Sequence, residues 1–399
     1  MSIPSRKHLE NYARIFVDFA LNNGRGILKG DTVYVVTQLP GIPLAKEIYR
    51  RVLQKGGHAM VRIIDDSFQL IEYETAEISQ LKWFPEKSQK GLADQIDHWV
   101  RVLAYEDPLI FKSVDPKKIM TSNSAARPFR EWLDAKEDKG KFTWTLGLYG
   151  TEKKAREAGL SEKAYWEQIV KACFLDHSDP IGQWKKVFGK IQATVDRLDE
   201  LDIRTIHVKA RDTDLTVTLG EKRRWLGGSG RNIPSFEIFT SPDWRGTEGK
   251  IRFDLPLYRY GQLIKDIRLE FRSGRVVKAS AGQNEKFLRD MIAQKNADKI
   301  GEFSLTDRRF SRISKFMADS LYDENHGGAH GNMHLAVGKS YHDTYAGKAS
   351  AMKPSDWKRL GFNEASEHTD IIATTDRTVT ATLGNGKKKT IYESGEFKV

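Results

Sequence analysis

The chain of 399 residues contains a single cysteine, Cys173. One thiol excludes an internal disulfide, so the fold must be held by its core, and a reducing cytoplasm is the expected compartment. Cys173 lies in an apolar, helical-looking segment and reads as a buried thiol rather than a nucleophile. Long hydrophobic runs are also missing, and no apolar stretch approaches the length of a membrane span. The opening residues, MSIPSRKHLENYARIF, place Ser, Pro, His and Glu where a signal peptide needs an apolar core. A soluble cytoplasmic protein without a membrane partner is the expectation. No GxGxxG stands at the first strand-to-helix turn, where TQLPGIPLAKE is found, so a dinucleotide site is not expected.

The balance of 65 basic against 54 acidic residues gives a net charge of +11. Apart from short runs such as Lys387 to Lys389 the basic residues are dispersed, and no nucleic-acid-binding signature accompanies them. A solvated basic surface follows, with nucleic acid not expected as a partner. Such a field would draw carboxylate-bearing ligands such as peptides, which is steering and not chemistry.

A hydrophobic content of 39% over this length is enough for two or three domains. In HLENYARIFVDFALNN, Leu9, Tyr12, Ile15, Phe16 and Phe19 recur at helical steps, and Asn23-Gly24 provide a stop. DTVYVVTQ, PLAKEIYRRVLQKGG and HAMVRIID then read as strand, helix and strand, the order of a parallel pair with a crossover helix. HWVRVLAYED and FTWTLGLYG add two strands separated by the helical AARPFREWLDAKEDKG, which makes a doubly wound α/β domain the expectation for residues 1–201. A helical stretch from Thr151 to Leu201 carries an apolar stripe of Trp184, Val187, Phe188, Ile191 and Val195, suited to a core or a domain interface. After Asp202 the pattern becomes alternating and rich in Val, Ile, Phe and Thr, so residues 202–399 are expected to form a β-rich α+β domain.

Chemistry concentrates in that second domain. Five of the ten histidines lie between His326 and His368, together with Glu302, Glu324 and Asp370. Imidazole and carboxylate are ligands for divalent metals of borderline hardness. Glu237 sits between Phe236 and Ile238 in an apolar strand, and a buried carboxylate there needs an arginine, hydrogen bonds or a metal as partner. Glu302 follows Gly301, a residue that permits close approach of another backbone or an ion. His368 and Asp370 are two apart and would project from one face of a strand running into DIIATT. His334 opens the apolar HLAVG and is expected to be held rigidly, whereas His326 and His330 stand among glycines in a variable loop.

The segments IPSFEIFTSP, IGEFSL, LYDEN, HLAVGKSY and EHTDII, in this order and at these intervals, resemble the aminopeptidase T and PepS type of dinuclear metallo-aminopeptidases. The resemblance implies an α/β domain followed by a metal domain, and its specific motifs lie between Asn232 and Ile372. It also implies peptide substrates, a homodimer with the active site enclosed near the interface, and two divalent ions, with zinc, cobalt, manganese and magnesium all candidates. Carried over position by position, the metal residues are Glu237, Glu302, His334, His368 and Asp370, with Glu302 the bridge. Glu324 matches a further acidic position, as ligand or proton shuttle, and Tyr341 matches the active-site tyrosine that would steady an oxyanion. The chain departs from the family pattern at Ser235 and Phe236, where a glycine usually stands. That change either narrows the substrate cleft or repacks the strand. Two rival readings use the same residues: a dinuclear hydrolase of another bond such as a phosphodiester, and a basic binding protein with a structural metal.

Overall fold

A computed structural model describes residues 4–107, 109–259 and 262–399. One compact unit comprises the chain up to Gly182 together with Ser229–Ile233, and the other comprises Gln183–Gly228 and Pro234–Val399. The long helix Pro180–Asp199 therefore belongs almost wholly to the second unit. The reason is its apolar stripe: Trp184, Ile191 and Val195 are buried, and Trp184 stacks on Phe236 with ring centroids 5.3 Å apart. The change of sequence texture at Leu201 marks where strands begin, one helix later than the unit itself.

The first unit is built on a parallel sheet. Thr32–Gln38 is buried along its length and pairs in parallel with His58–Ile64 on one side and His98–Leu103 on the other, which in turn pairs with Thr143–Leu148. The second strand lies outside the first while the third and fourth follow on the opposite side, the order of a doubly wound sheet. The expected strand, helix and strand unit is present, with Ile42–Gln54 as its crossover helix. A fifth parallel strand, Asn232–Ile233, joins Thr143–Leu148 from more than eighty residues downstream. Two residues are too short to announce a strand by alternation, so local sequence could not have placed it.

The second unit contains two larger antiparallel sheets. The eight-stranded sheet runs, in spatial order, through Arg275–Ser280, Ile267–Arg272, Glu248–Phe253, Thr213–Thr218, Ile203–Ala210, Arg377–Leu383, Lys388–Glu393 and Glu396–Phe397. The five-stranded sheet runs His368–Ala373, Asn332–Gly338, Ile300–Thr306, Glu237–Thr240 and Leu226–Gly227. Ile300–Thr306 and Asn332–Gly338 are buried at every position. Phe303, Leu305, Met333, Leu335, Val337 and Ile371 lie on one face, so the alternate residues of the same strands must share the other. A separate two-stranded ribbon, Leu257–Arg259 with Gln262–Ile264, completes the unit's β-structure among the described residues.

Candidate metal centre

The register of the five-stranded sheet brings the acidic and imidazole residues together. Glu302 lies opposite Ala336, which lies opposite Asp370; one row along, Ser304 faces His334 and His334 faces Ile372. Glu237 is paired with Thr306, and His368 with Gly338. Residues directly opposite share a face, as do residues two apart, so Glu237, Glu302, His334, His368 and Asp370 all stand on one side of the sheet.

Glu302 reaches that side through a bulge. Ile300 pairs with Val337 while Glu302 pairs with Ala336, leaving Gly301 as the extra residue. Only glycine fits, because a Cβ there would come within 2.3 Å of the Lys339 carbonyl oxygen. The bulge keeps Ile300 in the core and turns Glu302 over to the site.

The resulting distances define two groups of potential ligands, Glu237 with Glu302 and His334, and Glu302 with His368 and Asp370. His334 Nε2 lies 2.9 Å from Glu302 Oε1 and 3.3 Å from Glu237 Oε2. His368 Nε2 lies 3.8 Å from Glu302 Oε2 and 3.3 Å from Asp370 Oδ1. Each oxygen of Glu302 therefore faces a different imidazole. His368 Nδ1 is 2.8 Å from the Lys339 carbonyl and so carries the proton, leaving Nε2 to present its lone pair to the cluster.

Burial raises the Glu302 carboxyl to about 7, helped by the charge of Glu237, although its hydrogen bond to His334 pulls the other way. Burial opposes a charge on His368, yet Asp370 and Glu302 raise it to about 9. His334 is likewise raised well above the ordinary histidine value against its own burial, by hydrogen bonds to Glu237 and Glu302. Asp370 is held well below the usual carboxylate range: its burial is outweighed by His368, His334 and Arg259. Protons thus occupy the positions a cation would take, and Asp370 Oδ1 is buried without a hydrogen bond. A cluster of three acids and two imidazoles with an unfilled acceptor fits divalent metal better than it fits itself.

Glu324 stands at the end of the short helix Ser320–Asp323, buried and outside both ligand groups. Asn332 Nδ2 holds its carbonyl at 2.9 Å, and the next residue, Asn325, accepts the Phe236 N–H at 2.6 Å. Burial and the charges of Glu237, Asp370 and Glu302 push its carboxyl well above the usual range, against a pull from His334. Tyr341 follows the strand Asn332–Gly338 and donates its N–H to Ser241 Oγ at 2.8 Å. Its ring lies 4.6 Å from that of His368 and 6.1 Å from that of Phe239. Burial and the carboxylates of Glu302, Asp370, Glu324 and Glu237 raise its hydroxyl. With 41% of the residue open to solvent, the charges count for more than the burial.

The remaining histidines go elsewhere. His330 lies 3.7 Å from Asp376, and His342 bonds Glu364 at 2.6 Å while stacking on Trp357. His326 is lowered by burial and joins neither ligand group. Their loop is tightly seated, since a Cβ on Gly327 or Gly331 would collide with the Ser311 or Thr306 carbonyl. At the departure noted at Ser235 and Phe236, Phe236 is fully buried and stacks on Trp184, and Ser235 is buried as well. Sequence reasoning missed Arg259, Glu367, Lys339 and Ser241. Only Glu367, an acid flanking the His368–Asp370 pair, carried a local signal.

Known proteins match this chain along nearly its whole length. Aminopeptidase AmpS of Bacillus subtilis (strain 168) is 26% identical, over 98% of this chain and 98% of that protein. Aminopeptidase 2 of Geobacillus stearothermophilus is 27% identical with the same coverage. The structure titled wild-type AmpT from Thermus thermophilus superposes with a TM-score of 0.85 at 23% identity, covering 99% of this chain and 100% of that one, and so shares the fold. The profile described as thermophilic metalloprotease (M29) matches residues 5–397, and the chain belongs to that family.

Proposed function

We propose that this protein is a metal-dependent aminopeptidase whose site holds two divalent ions joined by Glu302. The observation that carries the reading is the pair of ligand groups sharing Glu302 on one face of a buried sheet. Membership of a metalloprotease family and full-length similarity to proteins named aminopeptidases support it. Glu237 and His334 complete one half of the site, His368 and Asp370 the other. When bound, the ions lower the pKa of a water and polarise the scissile carbonyl.

The chain supplies the rest. Glu324 lies outside the ligand groups, and its surroundings make its carboxylate a stronger base than a free one, which suits a group that, when ionised, takes a proton from the attacking water and returns it to the departing amine. Tyr341, kept protonated by burial and by the neighbouring acidic groups, donates its hydroxyl to the oxygen that becomes negative in the tetrahedral intermediate. A carboxylate of the cluster can receive the substrate's free amino group, which makes cleavage exopeptidic.

No helix among the described residues is long and apolar enough to cross a membrane. Cys173 is free and buried, in keeping with the proposed cytoplasmic setting. A homodimer is supported by the first unit's outer strand His58–Ile64. It forms one edge of the sheet and exposes Met60, Val61 and Ile63. An unpaired apolar edge of this kind is normally covered.

Dialysis against a chelator followed by assay of amino-acid release from short peptides tests the reading. Activity should vanish and return with zinc, cobalt, manganese or magnesium. Release that persists after complete metal removal, or hydrolysis confined to a phosphodiester substrate, would overturn it.

A further inference from the structure

The two halves of the site are unequally supported. His368 Nδ1 is fixed by the Lys339 carbonyl at 2.8 Å. Lys339 in turn donates its N–H to the Glu367 carbonyl at 2.7 Å. Gly338, with φ +109°, lies so close to that same carbonyl that a Cβ would approach to 2.1 Å, so the backbone leading into His368 is held closely. The Glu367 side chain is buried and accepts a hydrogen bond from Arg259 Nη2 at 2.9 Å. Arg259 comes from the separate ribbon Leu257–Arg259, and its charge is one of those acting on Asp370. His334 in the other half has no such support: its Nδ1 is buried and without a hydrogen-bond partner among the described residues.

We infer that Arg259, acting through Glu367, is a positioning residue that makes the His368–Asp370 half the tighter ion position and leaves the Glu237–His334 half the exchangeable one. A ligand whose outer nitrogen is bonded and whose neighbouring carboxylate is backed by a cation loses less freedom when it binds an ion. Partners of this kind are typically worth about 10–100-fold in metal affinity. The inference rests on the two-ion reading and adds an order of filling and release. The ion nearer Glu237 exchanges, while the one nearer Asp370 stays.

The test titrates metal-stripped protein with cobalt(II), following visible absorption and equilibrium dialysis. Wild type should take two equivalents with dissociation constants at least about tenfold apart. E237Q should lose the weaker class and keep the tighter. R259M should weaken the tighter class by about 10–100-fold and leave the weaker one within about twofold. R259K should recover part of the loss. E367Q keeps the arginine but removes the negative charge that anchors it, and should weaken the same class even if R259M folds poorly. A purely structural role would lower the thermal midpoint without selecting one class. Two equivalents in wild type with both constants unmoved in R259M and E367Q overturn this inference alone, whereas a single equivalent in wild type overturns the two-ion reading with it.

Discussion

In the strand Ile267–Arg272 of the eight-stranded sheet, Ile267, Leu269 and Phe271 are buried and the alternate Arg268 and Arg272 are exposed. In the strand Asn332–Gly338 of the five-stranded sheet every residue is buried, although the same alternation is present. There the second face meets ionisable groups where the other sheet meets water. The difference teaches where the chemistry resides. A polar face in water tolerates change, whereas a buried face of acids and imidazoles is stable only while its charges answer one another.

Replacing one carboxylate on each sheet breaks this comparison most directly. Glu302→Gln removes the residue common to both ligand groups, so peptide hydrolysis should fall below detection and bound metal should drop in both halves, as read by elemental analysis. Glu270→Gln removes an exposed carboxylate paired with Arg272 on the eight-stranded sheet. It should leave activity intact and shift stability by no more than about 0.5 kcal/mol in denaturant unfolding. Equal losses in the two variants would mean that the buried face is not special.

A smaller effect separates ligands from groups that move protons. Glu324→Gln should lower kcat by about 10²–10⁴. Metal content should stay at the wild-type value, and a loss of one equivalent would make Glu324 a ligand instead. Tyr341→Phe should cost about 10²–10³ in kcat with little change in KM, as expected for a donor that acts on charge developing in the transition state.

The site was legible in the sequence where two-residue periodicity carried it. His368 and Asp370 announced a common face by their spacing, and Glu237 stood out as an acid between Phe236 and Ile238. Glu302 was harder, because its face depends on a bulge at Gly301 that no local pattern reveals; Ile300 and Glu302 have the same parity yet opposite sides. Arg259 and the Lys339 carbonyl were invisible for another reason. Their roles arise from contacts across 108 and 29 residues of chain, and one of them belongs to a main-chain oxygen. The first unit shows the same division: four strands with their own apolar runs were readable, and Asn232–Ile233 was not.

The finest contrast between the sheets is in their response to pH. Without metal, His368 is raised to about 9 and Glu302 to about 7, while Asp370 stays ionised throughout the window above pH 4.5. A raised histidine contributes stability that is complete below its unfolded value of about 6.5 and is lost as pH climbs through 9. A raised carboxyl acts in the same sense, contributing fully below about 4.5 and losing that contribution as pH passes 7. The metal-free protein should therefore become steadily less stable between about pH 4.5 and 9. Metal binding must displace the same protons, so its affinity should run the other way. It should rise by about tenfold per pH unit for each proton released, steeply below pH 7 where Glu302 and His368 both hold one and more gently from 7 to 9, with the raised His334 adding to the slope in the same sense. Thermal midpoints and cobalt affinities measured across this range should thus have opposite slopes. Parallel slopes would place the titrating groups outside the five-stranded sheet, since the exposed acids of the eight-stranded sheet cannot couple protons to an ion they do not touch.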